Sequence, residues 1–129
     1  MDNLTIESSN KTPYCYLNKT GKLEFSGISM PEDAANFYFK IMDWISDYYR
    51  KPNKETSIKI AFRYINSTSS SMLMRIFHTL KNLQETDKTN IQCTWYYEKE
   101  DQHMKDYVEE VARRADNISF NILPTEEIN

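Results

Sequence analysis

The stretch Arg63-Tyr64-Ile65-Asn66-Ser67-Thr68-Ser69-Ser70-Ser71-Met72-Leu73-Met74-Arg75-Ile76-Phe77-His78-Thr79-Leu80 decides the fold. Up to its start, Ile58, Ile60, Phe62 and Tyr64 alternate with Lys59, Ala61 and Arg63. A period of two marks a half-buried strand. Beyond its centre, Leu73, Ile76, Phe77, Leu80 and Leu83 recur at the spacing of one helix face. A strand therefore ends and a helix begins within Asn66 to Ser71, one amide followed by five hydroxyls. Ser, Thr and Asn are the preferred capping residues, so a plain loop and N-cap accounts for this composition. The same segment is also suited to phosphate. The first amides of a helix lack internal partners, and the dipole makes that end partly positive. A phosphate placed there would be held locally and would change what the surface binds.

Working outward, Tyr14–Leu17 and Leu23–Ser26 read as two short strands. Between them Asn18-Lys19-Thr20-Gly21-Lys22 is a turn signal, and the pair reads as a hairpin. Ser29 and Glu32 have capping-box spacing, with Pro31 suited to a first turn. The helix they open keeps Ala34, Phe37, Tyr38, Ile41, Trp44, Ile45 and Tyr48 on one face and stops before Pro52. Ser57–Ile65 is the third strand and Ser69 to Thr86 the second helix. Ile91, Cys93, Trp95 and Tyr97 mark a fourth strand, and Met104, Tyr107, Val108 and Val111 a third helix. Ile118, Phe120 and Ile122 form a last strand that Pro124 stops. The expected order is β-β-α-β-α-β-α-β. Strand–helix–strand units imply parallel neighbours with right-handed crossovers. The later strands alternate, whereas strands buried on both faces are apolar throughout. We therefore expect an α/β, α+β-like single domain: a mixed, mainly parallel five-stranded sheet with three long helices on one face and the other face open. One domain should span residues 1–129, its core about 12–123, with 1–11 and 124–129 flexible.

Composition closes off several functions. Net charge is −3, which does not favour nucleic acid. The chain holds 40% hydrophobic and 27% charged residues, ordinary for a globular domain. Met1 to Asn10 is polar and lacks a signal-peptide core, so a cytoplasmic protein is expected. In that compartment the sequons at Asn3, Asn10, Asn18, Asn66 and Asn117 are chance, and Cys15 and Cys93 read as core thiols. With two glycines there is no Gly-rich nucleotide cradle. His78 and His103 have no second ligand at metal spacing, and Glu98, Glu100 and Asp101 read as a solvated helix cap. No Gly-x-Ser-x-Gly elbow surrounds the serines. No catalytic residue, metal or cofactor is expected.

Three blocks in register carry a family resemblance. They are Thr12-Pro13 through Gly27-x-Ser29-x-Pro31-Glu32-x-Ala34 to Trp44, then Tyr64-x-Asn66-Ser67-x-Ser69-Ser70, then Trp95-Tyr96-Tyr97 before an acidic helix start. Over residues 12 to 123 the chain resembles the SiaC-type regulatory phosphoproteins, which are STAS-like and similar to anti-sigma-factor antagonists. The resemblance implies a non-enzymatic switch acted on by a Ser/Thr protein kinase and a PP2C-like phosphatase. Its unmodified form would bind and activate a target, such as a diguanylate cyclase. It also implies a phosphoacceptor directly after the asparagine, which here is Ser67 where the family carries Thr. A shift of one residue would make it Thr68, but Leu73, Ile76 and Leu80 keep the family's helix phase without a shift. Asn66, Ser69, Ser70 and Ser71 would support the phosphosite or bind the partner.

Two other readings use the same residues. The helix end could serve as a static anion or phosphate-ligand pocket. The open sheet face could be the interface of a structural subunit.

Overall fold

A computed structural model describes residues 1–129. The elements run β1 (Leu4–Ile6), β2 (Tyr14–Asn18), β3 (Lys22–Ser29), α1 (Ala34–Arg50), β4 (Glu55–Ile65), α2 (Ser67–Glu85), β5 (Asn90–Glu98), α3 (Gln102–Arg114) and β6 (Ser119–Thr125). One six-stranded sheet holds all the strands in chain order. β1 and β3 flank β2 antiparallel, and β3 through β6 run parallel. Each helix therefore links neighbouring parallel strands, and each crossover steps the same way. Right-handed crossovers of that kind place successive helices on one face. Burial agrees: Ile58, Ile60 and Phe62 of β4 and Ile91, Cys93 and Trp95 of β5 are sealed, while Ser57, Lys59 and Gln92 face water. No helix is long and apolar enough to cross a membrane.

The sheet has one strand more than the sequence pattern predicts. Leu4–Ile6, within the stretch expected to fray, pairs with Leu17, Tyr16 and Cys15. Three residues are too few to display a period, so pairing with the exposed edge of β2 decides their state. Trp44 Nε1 also donates to the Asp2 carbonyl at 2.9 Å. The other end is tied down too. Ile128 is buried, and its amide donates to Glu98 Oε2 at 2.9 Å. Pro124 does not stop the last strand; it pairs with Tyr97 inside β6. β6 is an edge strand, where a missing N–H can face water at no cost to the ladder.

The α1 start also differs from expectation. Asp33, not Ser29, caps the helix, accepting from the Asn36 amide at 3.1 Å. Ser29 lies in β3 and is fully buried. A capping box read from spacing presumes that the chain has already left the strand, and here β3 continues to Ser29.

The register between β3 and β4 slips once. Gly27 pairs with Phe62 and Ile28 with Tyr64, so Arg63 is the extra residue of a bulge. Gly27 takes φ +100°, a region that favours glycine. A bulge of one residue reverses which side the following side chains face. Tyr64, expected on the apolar side, is instead 50% exposed.

Trp95 sits at the centre of the core. Phe62 and Tyr107 meet its ring edge-on at 6.2 and 6.0 Å, and Phe77 stacks at 5.8 Å. The aromatic side chains of α1 and α3 are mostly part of this core: Tyr38, Trp44 and Tyr48 are all buried.

Candidate functional site

The strand-to-helix junction falls within Asn66 to Ser71 as expected, but α2 begins at Ser67, two residues before the expected Ser69, because Asn66 and not a later hydroxyl is the cap. Asn66 is the N-cap, its backbone extended, its Oδ1 accepting from the Ser69 amide at 2.9 Å. The Asn66 amide donates to the Ser29 carbonyl at 3.0 Å, tying the cap to the end of β3. Of the four first-turn amides, these bonds occupy two, and the Ser67 and Thr68 amides stay available.

The five hydroxyls have different surroundings. Ser69 is sealed at 0% exposure, and its Oγ accepts from Ser29 Oγ at 2.9 Å. Ser29 Oγ also meets Tyr38 Oη at 2.5 Å. Ser70 and Ser71 both donate back to the Ser67 carbonyl, at 2.7 and 3.2 Å. Thr68 is exposed, and its Oγ1 donates to Asn66 Oδ1 at 3.1 Å. Ser67 alone of the five is exposed with a hydroxyl that makes no hydrogen bond. Asn66, Ser67 and Thr68 are thus together at the surface, while Ser69 is removed from it.

Two residues that the sequence pattern did not single out hold this turn in place. Tyr38 of α1 does so through Ser29 and Ser69, and Tyr107 of α3 donates to the Ser70 carbonyl at 2.7 Å. Burial pushes both phenols well above their ordinary value, so both remain donors across the usual pH range. Their rings sit on apolar helix faces, and nothing in their spacing distinguishes a tyrosine that bonds from one that only fills space. Neither histidine is part of the core; His78 and His103 are both exposed.

Ser67 lies on the ridge between two depressions. One, of about 240 Å³, opens where β4 and β5 separate beyond the Ala61–Tyr96 pair, and Tyr64, Asp101, His103 and Tyr107 line it. The other, of about 480 Å³, lies toward α1 and is lined by Glu32, Asp33, Thr68 and Ser71. No Lys or Arg lines either. The helix caps sharpen the contrast. Asp33 and Asp101 place a carboxylate on the α1 and α3 dipoles, whereas α2 has a neutral asparagine and no acidic residue in its first turn. Its positive end is therefore uncompensated.

Comparison with known proteins gives a consistent picture. A search of curated proteins finds no match. Among solved structures the chain is similar to SiaC of Pseudomonas aeruginosa, with a TM-score of 0.82 and 20% identity over 98% of this chain and 100% of that one. It is also similar to a chain of the diguanylate cyclase SiaD in complex with its activator SiaC, at a TM-score of 0.86, 20% identity and coverage of 95% and 99%. Apo-SiaC of the same organism matches at a TM-score of 0.79 and 20% identity, covering 95% and 99%. At that identity these likenesses speak for the fold. The family model described as SiaC family regulatory phosphoprotein matches residues 6–125, from the end of β1 to the end of β6 and across the whole hydroxyl turn. The chain belongs to the SiaC family of regulatory phosphoproteins.

Proposed function

We propose that this chain is a non-enzymatic switch whose unmodified form binds and activates a partner protein, and that phosphorylation of Ser67 turns the binding off. The observation that carries this reading is the state of Ser67: an exposed, unbonded hydroxyl at the first position of a helix with an uncharged cap. A Ser/Thr protein kinase adds the group and a PP2C-like phosphatase removes it. The target is a protein such as a diguanylate cyclase; the structural likeness to the SiaD–SiaC complex supports that class. Thr68 is the second candidate acceptor, but modification there costs its bond to the cap side chain.

The energetics fit a switch that leaves the fold intact. A phosphate adds about −1.5 to −2 charges at neutral pH. The α2 dipole returns about 0.3–1 kcal/mol. Glu32, Asp33 and Asp101 border the flanking depressions and no Lys or Arg lines them, so no permanent cation clamps the new group down. It stays displayed. A partner docking over it would bury an unpaired dianion at a cost of several kcal/mol. That lowers affinity by about two decades or more.

The small depression beside Ser67, with His103 on its rim, favours a second reading, a static site for a phosphate ligand. Asp101 on the same rim weighs against it. The two separate by experiment. A static site predicts a rise in melting temperature with phosphate compounds in the absence of kinase. The switch predicts that Ser67→Ala retains the native partner in affinity capture and Ser67→Asp loses it. Equal capture by both variants would remove Ser67 from the mechanism.

A further inference from the structure

We infer that the groove along the outer face of α2 is the docking site and that its occupant is an acidic amphipathic helix of the partner. This rests on the switch reading and specifies the chemistry of its target.

The groove has a volume of about 530 Å³ and runs between α1, α2 and the end of α3. Met42, Met74 and Phe77 supply its apolar surface, and Arg75, His78 and Arg114 its polar one. No carboxylate lines it. The chain as a whole carries 19 acidic against 16 basic residues, so the groove has the opposite sign to the molecule. Arg75 makes no ion pair, and Arg114 meets Glu110 through Nε alone at 2.8 Å. The unpaired Arg75 guanidinium, with Arg114 engaged through Nε alone, beside flexible thioethers suits a helix that brings carboxylates on its flanks and aliphatic anchors on its face.

The groove is continuous with the phosphosite. Ser67, Ser71, Arg75 and His78 follow one another at helical spacing along a single stripe of α2. Ser71 lines both this groove and the depression beside Ser67. At 1.5 Å rise per residue, Ser67 lies about 12 Å along the axis from Arg75. That exceeds the screening length of about 8 Å at physiological salt, so the phosphate acts on the part of the occupant lying over Ser67 and not on Arg75. An acidic helix on the stripe meets Arg75 and Arg114 in the unmodified protein and a like-charged phosphate at the stripe's end in the modified one. The same charge that draws the partner in makes it sensitive to the added group.

The test uses a fluorescein-labelled helical peptide of about 18 residues, long enough to hold helix, with leucines on one face and glutamates on its flanks. Its control has lysine for each glutamate. By fluorescence anisotropy the full chain should bind the acidic peptide about tenfold or more tightly than the basic one. Arg75→Glu should weaken it by about the same factor, while Arg50→Glu, remote on α1, should not. In methyl NMR the Met42 and Met74 signals should shift and that of Met1 should not. Equal binding of the two peptides, no binding of either, or indifference to Arg75→Glu would overturn the proposal. Ser67→Asp separates the two readings. If it leaves peptide binding intact while Arg75→Glu abolishes it, the groove stands and the phosphoswitch falls. If neither peptide binds yet Ser67→Asp still loses the native partner, the reverse holds.

Discussion

The hydroxyl of Tyr107 donates to the carbonyl of Ser70 across 2.7 Å, joining α3 to the first turn of α2. The Tyr107 ring also packs edge-on against the buried Trp95. Position of the hydroxyl turn is therefore coupled to the centre of the core. Tyr107→Phe keeps the ring and removes the bond. It should lower stability by about 0.5–1.5 kcal/mol in urea denaturation. It should also raise amide exchange across Ser67 to Ser71 more than elsewhere in α2. A uniform rise would mean that the bond contributes to the fold without positioning the site.

Tyr38 acts from the opposite side. Its Oη meets Ser29 Oγ, which in turn donates to Ser69 Oγ, all in the interior. Tyr38→Phe leaves part of that chain unsatisfied where water does not reach. The expected cost is about 1–3 kcal/mol. Ser69→Ala should cost less than Tyr38→Phe, since Ser29 can then donate to the tyrosine instead. Urea midpoints of the two variants decide the order.

Alkaline pH should destabilise the protein through its buried phenols and thiols. Burial raises the Tyr38 and Tyr107 phenols above their ordinary 10.0, pushes Cys15 from 9.0 to about 12, and raises the Cys93 thiol as well. Each group is held protonated in the folded state and ionises at its ordinary value once unfolded. Their contribution to stability is complete below about pH 9 and is lost as pH climbs through 10 toward 12. Urea midpoints measured from pH 8 to 11 should fall over that window. A midpoint that stays flat to pH 11 would show that these groups reach water in the native state.

The neutral cap gives a further handle. Asn66→Asp keeps the capping geometry but puts a carboxylate on the α2 dipole, as Asp33 and Asp101 do on α1 and α3. In the unmodified protein it should be neutral to stabilising by about 0.3–1 kcal/mol. Asn66→Ala should cost about 1 kcal/mol. Phosphorylated protein should be less stable on the Asn66→Asp background than on the native one, because the phosphate meets a charge already in place. Thermal melts of the four species test the sign.

Much of this was readable from periodicity, and the failures have specific causes. The middle of α2, the alternation of β4 and β5, and the junction at Asn66 follow from runs long enough to show their period. Leu4–Ile6 is too short to show one, and a neighbour's free edge decides it. Strict alternation puts Tyr64 on the apolar side because it has no way to register the extra residue at Arg63. Ser29 reads as a cap by spacing alone, and only the length of β3 turns it into a buried donor to Ser69. The hydroxyl run was visible in the sequence, but its ranking was not. That Ser67 is free and Ser69 sealed depends on partners 40 residues away in the chain.

The central claim is that one group at Ser67 governs docking. The direct measurement is a titration of homogeneous Ser67-phosphorylated protein and of unmodified protein into the partner recovered from native cells. Affinity should be lower by about two decades for the phosphorylated form, with both forms equally folded by circular dichroism. Equal affinity of the two forms would contradict the claim.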